Sequence, residues 1–166
     1  MSFNQDFNFS EQVHKQIAIP KIYQPNGFEK IESNLHDKLD MGYGIDYTAW
    51  YKERKITIQE RFRRSKYKHY RDVTLRYRRP FNRNQNRIKS EYFKINASHF
   101  LYGIVNSQHN DFIWAVLYDV HQLIKAISDK DIDFTSKLNR DNSSSFLIIK
   151  IADLNKIGAI EVAYNL

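Results

Sequence analysis

A chain of 166 residues with 42% hydrophobic, 14% aromatic and 27% charged residues has the size and composition of one compact domain, and it lacks the charge excess of a disordered one. It contains no cysteine, which excludes disulfides, thiolate metal sites and a cysteine nucleophile. The net charge of +7 is unevenly spread: residues 52–89 hold 15 Lys/Arg against 3 Asp/Glu, a net of +12, while the remainder holds 11 against 16, a net of −5.

In chain order, residues 1–8 are polar with interspersed Phe and show neither a basic start nor an apolar run, so no targeting segment is expected. No stretch approaches the roughly 18–20 apolar residues that span a bilayer. A cytoplasmic, intracellular location with no membrane partner is the expectation. Ser10 to Lys15 can open a short helix, Pro20 and Pro25 should interrupt regular structure, and Asn26-Gly27 signals a turn. Phe28, Ile31, Leu35 and Leu39 then recur at helical spacing, and Met41-Gly42-Tyr43-Gly44 breaks that helix.

Strand patterns follow. Ile45 to Tyr51 is rich in aromatic and β-forming residues. Ile56 to Arg63 alternates, with Ile56, Ile58, Glu60 and Phe62 on one side and Thr57, Gln59, Arg61 and Arg63 on the other. Val73 to Tyr77 is a further short strand. Phe100 to Val105 and Phe112 to Tyr118 read as strands joined by the polar turn Asn106 to Asp111. Val120 to Ile127 has one apolar helical stripe, Phe146 to Ile151 is a late strand, and Asp153 to Ile160 is a short helix or turn. Asn82 to Arg87 and Ser143 to Ser145 are loops. No linker divides the chain. The order predicts an α/β class: a single domain over 1–166 with a central mixed sheet flanked by helices.

One constellation carries possible chemistry. Asp46 sits on a first strand, a hairpin runs through Lys52 to Lys55, and Gln59 and Arg61 lie two apart on the next strand and so share a face. An acid with a neighbouring oxygen ligand suits Mg²⁺, with Mn²⁺ as a substitute, and a nearby cation can stabilise charge on an attacked phosphate. Glu60 is an alternative ligand, although its side of the strand, shared with Ile56 and Ile58, fits a core face better. The plainer alternatives are a turn acid for Asp46 and a polar strand face for Gln59 and Arg61. Among the six histidines none forms a close metal pair. They read as surface or packing residues, with His69 a possible phosphate contact. Five glycines leave no Gly-rich phosphate loop.

Asp, about a dozen residues, then acid-x-Lys on the next strand is the signature of the PD-(D/E)XK nuclease superfamily. The run Gly44-Ile45-Asp46-Tyr47 to Ile56-Thr57-Ile58-Gln59-Glu60-Arg61-Phe62-Arg63 resembles it, with Asp46 in the Asp position, Gln59 in the acid position and Arg61 in the Lys position. Some branches, one of homing endonucleases among them, carry Gln-x-Lys there, and small nucleases of phages and mobile elements also look similar. The resemblance is firmest over residues 28–77. It implies a restriction-endonuclease-like core, a metal held by Asp46, Gln59 and Glu60, and a second acid from a preceding helix. Glu29, Glu32 and Asp40 are the candidates, with Glu29 foremost. The departures are that Gln brings no charge to a metal and that Arg, with a pKa above about 12, cannot act as a base.

The second constellation is the basic run with aromatics, Phe62 to Arg71 and Arg76 to Arg83. Concentrated cations attract phosphate polymers by releasing condensed counterions. Arg63, Arg64, Lys66, Lys68, Arg71, Arg76, Arg78, Arg79, Arg83 and Arg87 are the candidate nucleic-acid contacts. A two-stranded ribbon would fit a major groove, and the aromatics could instead stack on unpaired bases or simply pack. A solvated basic face without a partner is the plain alternative.

Two functions follow as expectations. One is a Mg²⁺-dependent endonuclease of double-stranded DNA, of microbial or viral origin. It would act as a homo-oligomer if both strands are cut, with residues 112–127 as interface or core. The other is a non-catalytic DNA- or RNA-binding protein on a degenerate nuclease fold. A structural or packaging component directed to RNA is a third option.

Overall fold

The computed structural model describes residues 3–34, 44–81, 86–89, 92, 95–138 and 144–166. Helix α1 (Phe3–Val13) continues into a π-helical segment (His14–Tyr23) and a short 3₁₀ turn (Gln24–Asn26). The buried residues Val13, Ile17, Ala18, Ile22 and Tyr23 recur at steps of four and five. That spacing matches the wider i→i+5 turn and keeps one stripe on the core. Pro20 is accommodated inside the π-helical segment, contrary to the expected break. Gly27, at φ 77°, ends the run in the left-handed region that glycine tolerates.

Six strands form the main sheet, in the order β1 (Glu29–Ser33), β2 (Tyr47–Tyr51), β3 (Arg54–Arg63), β6 (His99–Val105), β7 (Phe112–Asp119) and β10 (Ile160–Tyr164). A two-residue turn joins β2 to β3, with Lys52 at φ 48° and Glu53 at φ 60°. Both angles are the left-handed pair that a twisted hairpin requires. Strand β3 runs parallel to β6, and every other pairing in this sheet is antiparallel. The crossover from β3 to β6 carries β4 (Asp72–Phe81) and β5 (Asn86–Lys89) into a second, four-stranded sheet. Its order is β5, β4, β9 (Ser145–Lys150) and β8 (Thr135–Leu138). Helix α2 (Val120–Ser128) starts where the Asp119 side chain accepts from Gln122 N at 3.0 Å, and α3 (Ile151–Lys156) follows β9.

The main sheet is covered on both faces. One core joins α1 and the π-helical segment to Ile58, Phe62, Leu101 and Leu117. The other joins Phe100, Tyr102 and Trp114 to Val73 and Ile149 of the second sheet and to Leu123 and Leu154 of the two later helices. All seven residues of β6 are buried, as expected of a strand covered on both sides.

The α/β class and a mixed sheet are therefore present, with three corrections. Phe28 to Ser33 is not helical. Glu29–Ser33 is an edge strand, bulged between Glu29 and Glu32 and paired with β2, because cross-strand pairing overrides the helical step of three between Phe28 and Ile31. The single expected sheet is two sheets, because β4, β5, β8 and β9 pair among themselves. Of residues 112–127, offered as an interface or core, Phe112, Trp114, Ala115, Val116, Leu117, Tyr118, Val120 and Leu123 are buried within this chain, while His121, Gln122 and Lys125 are exposed. Leu35 to Leu39 lie outside the described residues.

Candidate functional site

Asp46 immediately precedes β2, two residues after Gly44, whose φ is 63°. A Cβ at Gly44 would sit 3.3 Å from Gln59 Oε1, so the chain passes close over the Gln59 side chain in a left-handed conformation that favours glycine. The Asp46 amide donates to Ile58 O at 2.9 Å, and Asp46 Oδ2 accepts from the Glu60 amide at 2.7 Å. The carboxylate thus takes the place of a ladder carbonyl and brackets Gln59 from both sides. Asp46 O in turn accepts from Asn34 N at 2.9 Å, which ties β1 to the same point. The structure brings Asp46, Gln59 and the Glu60 backbone together.

The alternation of β3 then separates the side chains. Gln59, Arg61 and Arg63 face the second sheet, while Ile58, Glu60 and Phe62 face the N-terminal helical layer. Arg61 Nη1 donates to Thr74 O at 2.9 Å, and its guanidinium lies 5.9 Å from the Phe100 ring centre. Arg63 Nη2 donates to Thr74 Oγ1 at 2.8 Å. Both guanidinium groups are fixed by β4.

Glu60 is held on the other side. Its side chain is 4% exposed, and its two oxygens lie 2.9 and 3.0 Å from His14 Nδ1. Tyr23 Oη donates to Glu60 Oε1 at 2.5 Å. One proton lies between His14 Nδ1 and the Glu60 carboxyl in this bond. The imidazole stacks on Tyr47 at 3.7 Å with planes 5° apart. Burial, then the Glu60 charge, pushes the Tyr23 phenol well above its ordinary range. His14 is thus neither a surface residue nor a plain packing residue. Nothing in its spacing marked it, because 46 residues separate it from Glu60. The available signal was Glu60 itself, an acid on a buried strand face, which requires buried partners.

Glu29 does not join this group. It is exposed on β1 and paired with Trp50, four residues along β2 from Asp46 or about 13 Å at the usual strand rise. Glu32 is likewise exposed, and Asp40 lies outside the described residues. The donor set does not fit the Mg²⁺ site that the resemblance implies. One Asp46 oxygen is committed to an amide, and both Glu60 oxygens are engaged by His14 and Tyr23. Among the described residues no group of three or more His, Asp or Glu is placed to hold a metal ion.

The cations collect where the two sheets meet. Strand β3 ends at Arg63, and residues 64–71 cross to β4 through a 3₁₀ turn at Ser65–Tyr67. Lys66, Lys68, His69, Tyr70 and Arg71 are exposed on this crossing. Arg64 packs its guanidinium 4.2 Å from the Phe9 ring centre, and Arg71 lies 5.9 Å from that of Trp114. Arg76 is half-buried, and Arg78 is exposed with its guanidinium 5.2 Å from the Tyr77 ring centre. Arg79 falls in β4 and Arg87 in β5, and Arg83 lies outside the described residues. Among the described residues no helix is long and apolar enough to cross a membrane.

No protein-family model, curated protein or solved structure matches the chain.

Proposed function

We propose that the protein binds DNA through the basic crossing between β3 and β4, on a fold of nuclease-like plan without a working metal site. The observation that carries this is the contrast between held and displayed cations. Arg61 and Arg63 are fixed to Thr74, while Lys66, Lys68 and Arg71 project from one exposed segment between the two sheets. Exposed cations on a rigidly anchored ridge suit phosphate contacts, which position a nucleic acid without reading its sequence.

Metal-dependent cleavage is the second reading, favoured by the meeting of Asp46 with Gln59 opposite the hairpin. The engagement of Glu60 by His14 and Tyr23 weighs against it. The test is incubation of the full chain with plasmid DNA and Mg²⁺ or Mn²⁺, beside Asp46→Ala, with a parallel gel-shift assay. Retarded DNA without cutting is the expected result. Cutting that is lost in Asp46→Ala would establish the endonuclease instead. Absence of any shift at low salt would end both readings.

A further inference from the structure

The crossing segment does more than display cations. A cleft of about 450 Å³ opens beside it between the two sheets, and its walls include Arg63, Tyr67, Tyr70, Asp72, Tyr102 and Lys137. That volume falls in the range of small-ligand sites, roughly 300–1,000 Å³. Its chemistry is uneven in a useful way. Arg63 lies at the wall as a fixed planar cation: Nη2 is bound to Thr74 Oγ1 at 2.8 Å, and the guanidinium lies 5.0 Å from the Tyr67 ring centre and 6.0 Å from that of Tyr102. Tyr102 is buried, with its hydroxyl 3.4 Å from the same Thr74 oxygen. Tyr70 is 59% exposed, its amide donates to Tyr67 O at 3.1 Å, and both residues line the same cleft. Asp72 supplies an acceptor, its carboxyl raised by burial and pulled back by Arg63 and Lys137.

We infer that this cleft takes a single unpaired base of a DNA strand whose phosphates run along the Lys66, Lys68 and Arg71 ridge. The inference rests on the nucleic-acid reading above and adds strand preference to it. A base has a flat π face, a polar edge and a phosphate on each side. The cleft offers an exposed ring to stack on, fixed donors and an acceptor for an edge, and exposed cations on the adjoining segment. Paired bases in a duplex stack are already covered on both faces, so a duplex can use the ridge but not the cleft.

The test is fluorescence anisotropy with a labelled 15-nucleotide DNA strand lacking self-complementarity, and with the same strand annealed into a blunt duplex. The proteins are the full-length wild type, Tyr70→Ala and Tyr70→Phe. Tyr70 is exposed, so far-UV circular dichroism and melting should match across all three. Tyr70→Ala should weaken single-strand binding about ten-fold, in line with the loss of one base–aromatic stack, and leave duplex binding within about two-fold. Tyr70→Phe, which keeps the ring, should stay close to wild type. Equal loss on both DNAs, or no loss on the single strand, overturns the cleft assignment and leaves the ridge standing. Wild-type protein that binds neither DNA at low salt overturns the nucleic-acid reading itself. Free deoxyadenosine monophosphate binding nearly as tightly as the strand would reassign the cleft to free nucleotides and overturn the inference.

Discussion

The two faces of β3 carry polar groups with opposite surroundings. On one face Glu60 is closed in by His14, Tyr23 and the stacked ring of Tyr47. On the other, Arg61 and Arg63 are held by a carbonyl and a hydroxyl of Thr74, and Arg63 lies at the wall of a cleft that opens to solvent. A charge sealed in the interior with full hydrogen bonding fixes which elements pack together. A charge fixed at an opening can still meet a ligand. On the proposed reading the sealed face fixes architecture and the open face meets a ligand, although the residues involved are neighbours in sequence.

Substitutions separate the two faces. The largest effect belongs to Glu60→Ala, which strands His14 and Tyr23 without their acceptor. Removing one member of a buried charged cluster costs about 3–5 kcal/mol, so urea denaturation should show a loss of that order with the melting profile still cooperative. A loss below about 1 kcal/mol would mean the cluster is solvated. Next is Gly44→Ala, which forces a side chain into the left-handed region and against Gln59. It should cost about 1–2 kcal/mol in the same assay. If it is neutral, the close crossing over Gln59 is wrong. The smallest effect lies on the open face. Burial raises the Asp72 pKa, against the pull of Arg63 and Lys137, so the folded state holds this proton more tightly than the unfolded chain. The associated stability is fully present below the unfolded carboxylate range and is lost as pH rises through the folded value. Asp72→Asn should remove that decline, seen as a flatter dependence of the denaturation midpoint on pH in the mildly acidic range. An unchanged pH profile would show that Asp72 is solvated in the folded protein.

Much of the sheet was legible because its signals are local. Ile56 to Arg63 alternates, Phe100 to Val105 and Phe112 to Tyr118 are apolar runs around a polar turn, and Val120 to Ile127 has a clean helical stripe. The meeting of Asp46 with Gln59 was also legible, since one hairpin separates them. What escaped was non-local or atypical. Strand β8 is exposed along its whole length and β10 has one buried residue, so neither shows alternation. The π-helical segment spaces its buried residues by four and five, outside the usual helical template, and hides a Pro inside it. The partners of Glu60 lie 37 and 46 residues away, and no spacing rule reaches that far. The cleft is formed by β3, β4, β6, β8 and β9 with the crossing, so it exists only once the two sheets are in place.

The proposed DNA contact rests on the exposed cations of the β3–β4 crossing. The most direct measurement is the affinity of the full chain for a DNA duplex as a function of salt, compared with a Lys66→Ala/Lys68→Ala/Arg71→Ala variant. Each phosphate contact contributes about −0.9 to the slope of log K against log salt. The wild type should show a steep linear dependence, and the variant's slope should be shallower by roughly 2–3 with the fold unchanged. Equal slopes for the two proteins would contradict the assignment of this ridge to the DNA backbone.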